Sequence, residues 1–214
     1  MPRSRIGPLA LESPLGSRGT TLFRAIHVQQ KTQCAVRVLS VPLGLTPDAK
    51  KRFLEDLDRL KTLRHERIAR CFGGGVDGND VYVVHELVNG ESLAALLRRQ
   101  QRLPWESVLK YGLEICDALQ HAHNSGWLHG ALSPDQILCE YGGESIKLVG
   151  FRGELVRQLC NRPKPPEELA YQAPEQFVPP VTPHPAIDLY AIGAVMYHAL
   201  TGVPPFTAES IEQL

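Results

Sequence analysis

The sequence predicts an α+β chain, and three observations predict it. Short runs rich in alternating and β-branched residues, Cys34-Ala35-Val36-Arg37-Val38-Leu39 and Val81-Tyr82-Val83-Val84-His85-Glu86-Leu87, read as strands in the N-terminal part. One capped helix lies between them, opening at Thr46-Pro47-Asp48 with Pro in its first turn. Further on, Val108, Tyr111, Ile115, Leu119 and Ala122 recur every three or four positions, the spacing of a long buried helix that opens at Leu103-Pro104-Trp105-Glu106.

Composition narrows the class. A chain of 214 residues with 43% apolar content is large enough to bury a sizeable core as a soluble globular protein. Lys plus Arg and Asp plus Glu both number 23, so charge gives no reason to expect nucleic acid or an anionic membrane as partner. The start, Met1-Pro2-Arg3-Ser4-Arg5-Ile6-Gly7-Pro8, lacks an apolar run of signal-peptide length, and no later segment approaches a membrane span. A cytoplasmic location with no membrane contact from this segment is expected. The five cysteines, Cys34, Cys71, Cys116, Cys139 and Cys160, are odd in number and form no C-x-x-C pair. That argues against a disulfide framework or a zinc site and for small apolar fillers.

In chain order, Leu15-Gly16-Ser17-Arg18-Gly19-Thr20-Thr21 reads as a strand turn crowded by Arg18, Thr20 and Thr21. The helix after Thr46 places Phe53, Leu57 and Leu60 on one stripe with Asp56 at its margin. Gly73-Gly74-Gly75-Val76-Asp77-Gly78 fits G-x-G-x-x-G formally, but it lies between strand-like runs and lacks a phosphate-loop Lys. A hairpin connection is the expected role. Asn89-Gly90-Glu91-Ser92-Leu93 gives a turn and cap before a short helix. His121 and His123, with His129 beyond, are not expected to form a metal site, because residues two apart on a helix diverge.

Several ordered motifs carry a family resemblance. His129-Gly130-Ala131-Leu132-Ser133-Pro134-Asp135-Gln136 has the spacing of H-R-D-L-x-x-x-N, and Lys147-Leu148-Val149-Gly150-Phe151-Arg152 leads in as a strand leads into D-F-G. Ala173-Pro174-Glu175 is an intact A-P-E, and residues 188–206 end in Leu200-Thr201-Gly202-Val203-Pro204-Pro205-Phe206. From Pro14 to Phe206 the chain resembles bacterial Hanks-type Ser/Thr kinases. The resemblance implies a protein-kinase-like two-lobed fold: a small β-rich lobe with one helix over residues 1–87, and a larger, mainly α-helical lobe over 88–214. Because the sequence stops before the family's final large-lobe helices, a C-terminally truncated lobe is expected, with Glu175 lacking its usual Arg partner.

The same resemblance locates the departures. Ala131 stands where the family has its catalytic Asp, Ser133 where it commonly has Lys, Gln136 where it has a metal-ligating Asn, and Gly150 where the D-F-G Asp holds magnesium. Alanine accepts no proton and glycine offers no side-chain oxygen to a hard cation. No catalytic residue and no metal ligand is therefore assigned. Arg37 takes the place of the phosphate-reaching Lys and Asp56 that of its Glu partner, an ion pair expected to be kept for structure. His85 takes the gatekeeper place and is expected to be a hydrogen-bonded core histidine. Glu86 and Val88 take the hinge positions that offer backbone groups to adenine, so Arg37, Glu86 and Val88 are the candidate nucleotide contacts.

Between Gly153 and Ala173 there is no Ser or Thr, and Gly130 replaces the Arg that would receive a phosphate there. Tyr171 is expected to pack beside A-P-E. Asp188 is expected to hold the loop backbone together with His129. The reading that follows is a pseudokinase acting as a binding or regulatory module for another, unidentified protein, with no cofactor, magnesium least of all. The alternatives are an ATP-dependent Ser/Thr kinase that recruits Asp135 as base, and a domain that binds nucleotide without transferring phosphate.

Overall fold

A computed structural model describes residues 4–15, 21–41, 45–142, 145–151, 166–178, 180 and 182–206. Expectations placed on Gly16 to Thr20, Arg152, Cys160 and the stretch 153–165 lie outside the described residues. The chain divides into two compact units. One takes the chain up to Arg64 together with Ala69–Val88, and the other takes His65–Ile68 and the described residues from Asn89 on.

The first unit is a six-stranded antiparallel sheet with one helix. Its strands are β1 (Arg5–Ile6), β2 (Leu9–Pro14), β3 (Leu22–His27), β4 (Thr32–Ser40), β5 (Cys71–Asp77) and β6 (Asp80–Glu86), in the order β1-β2-β3-β4-β6-β5. Alternation decides which side chains meet. Cys34, Val36 and Ala25 share one face with Tyr82 and Val84, and Ile6 and Leu9 close over them. Helix α1 (Pro47–Leu60) begins where Thr46 Oγ1 accepts from the Ala49 N–H, and it buries Phe53, Leu57 and Leu60, the expected stripe.

The glycine run corrects one expectation. Gly73, Gly74 and Gly75 form the body of β5 and not the connection, while the turn to β6 is Gly78-Asn79, with Asp77 opposite Asp80 and Gly78 at φ +62°. The reason is space. A Cβ on Gly74 would lie 2.1 Å from the Tyr82 carbonyl oxygen, and one on Gly75 would lie 2.8 Å from the Tyr82 hydroxyl. The sheet and the Tyr82 ring occupy the room that side chains would take.

The second unit is mainly helical. Helix α2 (Leu93–Gln100) is capped by Ser92 Oγ, which accepts from Ala95 N–H. Helix α3 (Trp105–Asn124) buries Val108, Tyr111, Ile115, Leu119 and Ala122 as its spacing predicts. A three-stranded sheet, β7 (Gly90–Ser92), β8 (Ile137–Glu140) and β9 (Ile146–Leu148), follows the order β7-β8-β9. Helix α4 (Pro166–Leu169) is a single turn, and helix α5 (Pro185–Thr201) runs antiparallel to α3. Three contacts fix that direction: Leu103 N–H donates to Ala199 O, Gly112 faces Met196, and His123 reaches Asp188. Residues 65–68 belong to this unit because Ile68 bridges Leu148 and Arg67 pairs with Glu114. Among the described residues no helix is long and apolar enough to cross a membrane.

Gly74→Ala should lower the free energy of unfolding by about 2 kcal/mol, because the new methyl meets fixed backbone and not a flexible side-chain tip. Urea denaturation measures it, as a shifted midpoint at unchanged slope.

Candidate functional site

The candidate site is a loop in the second unit, from His129 to Gln136, with the turn after β9. Its shape rests on one carboxylate. Asp188, on the first turn of α5 and only 1% exposed, accepts from the backbone N–H groups of His129 at 2.9 Å and Gly130 at 2.8 Å. His123 Nε2 lies 2.8 Å from the same carboxylate. Hydrogen bonds to a charged acceptor contribute about 1.5–3 kcal/mol each, so this group alone anchors the loop to the α3–α5 pair.

The His129 ring fixes the other side. Its Nε2–H donates to Val149 O at 2.9 Å, and its ring sits 4.8 Å from that of Phe151. Burial pushes its pKa down, partly opposed by Asp188, so the imidazole is neutral. Gln176 adds a third tie: its Oε1 accepts from Ala173 N–H and its Nε2 donates to Gly130 O. The A-P-E turn and the loop are thereby joined. Gly130 adopts φ +71°.

At the chemical positions the geometry is different. Ala131 presents only a methyl group. Gly150 adopts φ +92°, and a Cβ built on it would lie 2.1 Å from Gln136 Oε1. The Gln136 carboxamide fills the space a side chain at 150 would need. Gln136 is itself buried, and its Oε1 has no hydrogen-bond partner. Magnesium prefers several hard oxygens, carboxylates above all. One neutral amide oxygen and a hydrogen atom do not fit it. Among the described residues no group of three or more His, Cys, Asp or Glu could hold a metal ion.

Asp135, one residue before Gln136, is exposed, while Gln136 is buried. It lines a cavity with Tyr171 and His198. Tyr171 is buried as expected, its hydroxyl bonded to His198 Nδ1. Glu175 is exposed.

The candidate nucleotide contacts all lie in the first unit. Arg37 sits on β4 opposite Val83, and Ala35, two residues earlier on the same face, is opposite His85. Glu86 N–H donates to Arg70 O, and its carboxylate accepts from Arg70 N–H at 3.2 Å. Val88 closes the unit. His85 departs from expectation: its Nδ1 is buried without a hydrogen-bond partner. Burial first, and the Arg37 charge second, bring its pKa down to about 4. Sequence reasoning also passed over His123. It was weighed only against its helical neighbours, whereas its partner Asp188 comes from another helix.

Comparison with known proteins agrees with this architecture. The family model described as the protein kinase domain matches residues 14–214. The chain belongs to the protein kinase family. This kinase domain is 29% identical over 80% of its length to the serine/threonine-protein kinase PkaB of Streptomyces coelicolor, covering 43% of that protein. It is 28% identical over 97% of its length to PknE of Mycobacterium bovis, covering 37% of it. Over 77% of its length it is 31% identical to the serine/threonine-protein kinase RUNKEL of Arabidopsis thaliana, covering 12% of it. The kinase domain thus spans less than half the length of each of these relatives.

Two outcomes follow for the kinase domain. Gly150→Asp should destabilise it by about 2 kcal/mol or more, combining a side chain in the left-handed region with overlap on Gln136. Gln136→Asn in the same chain should recover part of that loss, read by thermal unfolding. His85 should also give stability a pH dependence. Its folded pKa lies below the ordinary value near 6.5, so the unfolded chain binds the extra proton first. The contribution, on the order of 3 kcal/mol, is complete above about pH 6.5 and lost as pH falls toward 4. A His85→Leu variant should show a flatter stability profile between those limits by urea titration at each pH.

Proposed function

We propose that this kinase domain is catalytically impaired and acts as a binding or regulatory module for another protein. The observation that carries the reading is Gln136 filling the space beside Gly150, where a metal-binding Asp would have to stand. Ala131 supports it from the other side of the reaction, since a methyl neither orients a hydroxyl nor takes its proton. Loss of a general base lowers rates by a factor of roughly 100 to 10,000. Without a cation to neutralise the transferring phosphoryl group, the larger electrostatic contribution is missing as well.

Against these losses stand the intact supports: Asp188, His129, Gln176 and the A-P-E turn keep the loop in one shape. Retention of shape without the chemical groups suits a domain that is recognised by another protein. Nucleotide binding through Arg37, Glu86 and Val88 is compatible with this reading and separate from it.

The test is phosphate transfer. With radiolabelled ATP and magnesium, the purified chain should label neither itself nor a generic Ser/Thr peptide above a no-enzyme blank. Transfer at an ordinary rate that disappears in an Asp135→Ala variant would sink the reading and favour an atypical active kinase. Thermal shift with ATP, with and without magnesium, measures binding independently of transfer.

A further inference from the structure

A cavity of about 680 Å³ opens in the second unit, at the C-terminal ends of α2 and α5. That volume is ordinary for a ligand site. Its wall carries Arg98, Arg102, Asp135, Tyr171, His198 and Thr201, and none of the supports described for the loop uses Arg98, Arg102 or Asp135. The backbone holds the two arginines in place. Gln101 ends α2 with φ +66°, and Gly202, at φ +83°, brings α5 against it: a Cβ there would lie 2.9 Å from Gln101 O and 3.9 Å from Arg102 Cβ.

The charges of this wall are not spent on one another. Among the described residues neither Arg98 nor Arg102 makes an ion pair or a side-chain hydrogen bond, and Asp135 makes none either. By contrast Arg99, next along α2, is paired with Glu91. Three of the helix-end carbonyls at this wall are engaged within the fold: Leu97 O accepts from Gln101 N–H, His198 O from Gly202 N–H, and Ala199 O from Leu103 N–H. Tyr171 and His198 engage each other, the hydroxyl lying 2.5 Å from His198 Nδ1, and neither brings a charge to the wall. Burial favours these neutral forms, raising Tyr171 to about 12 and lowering His198.

From this we infer that the cavity docks an acidic polypeptide segment of a partner protein, its carboxylates on Arg98 and Arg102 and a backbone N–H on Asp135. The inference rests on the reading of the domain as a protein-binding module. The lone Asp135 carboxylate decides between ligand classes. It repels a compact polyanion, whereas a peptide offers it a donor while still satisfying the guanidinium forks.

Fluorescence anisotropy with short labelled Glu-Ser and Lys-Ser repeat peptides tests this on the whole chain. The acidic peptide should bind about tenfold more tightly than the basic one, and Arg98→Glu with Arg102→Glu should erase that factor at an unchanged melting temperature. If that pair of changes impairs folding, Arg98→Gln with Arg102→Gln makes the same comparison. Equal affinity of wild type and variant for the acidic peptide, a preference for the basic one, or citrate binding as tightly as the peptide overturns the assignment. Phosphate transfer by the same preparation separates the two readings. Transfer with peptide discrimination intact removes the pseudokinase reading alone, and lost discrimination without transfer removes the docking site alone.

Discussion

The second unit depends on a carboxylate taken out of water. Asp188 is almost wholly buried, and an ionised group there is tolerated only because two backbone N–H groups and His123 surround it. Remove the acceptor and the loop loses its attachment to α5, while the donors it satisfied are left buried. The loop conformation therefore belongs to the helical core. That separates shape from chemistry: Ala131, Ser133 and Gly150 have changed relative to the family pattern without touching the groups that hold the backbone.

The replacements are matched to one another. Gln136 is longer than the Asn of the family pattern by one methylene, and Gly150 is smaller than the Asp by its whole side chain; the one fills what the other vacates. A cavity at this point would carry its own energetic penalty. Packing thus gives a physical reason why the two positions differ together. The first unit shows a comparable fit in a different place, where Gly75 of β5 makes room for the Tyr82 ring and Gly74 for the Tyr82 backbone.

Much of this was legible in the residues. Thr46 with Pro47, the Phe53-Leu57-Leu60 stripe and the α3 periodicity are local signals, and the structure returns them because local hydrogen bonding and burial point the same way. The kinase-family motifs carried the rest of the topology. What escaped had non-local causes. Strands β7 and β9 are three residues each, too short to show alternation. The Gly73–Gly75 run looks like a turn until Tyr82 is placed against it, and His123 looks idle until α5 brings Asp188 beside it. His85 was expected to find a hydrogen-bond partner, but sheet pairing fixes its backbone and leaves Nδ1 without one. The Gln136 and Gly150 substitutions were visible in the sequence, yet their mutual fit appears only when the chain is folded.

The Asp188 clasp has one more consequence, for the tempo of motion. Amides in surface loops ordinarily trade their hydrogens with solvent during small local excursions. Those of His129 and Gly130 are held by a buried carboxylate rooted in α5, so their release requires the loop to lift off that helix. In deuterium labelling these two loop amides should therefore exchange more slowly than those of an unanchored surface loop.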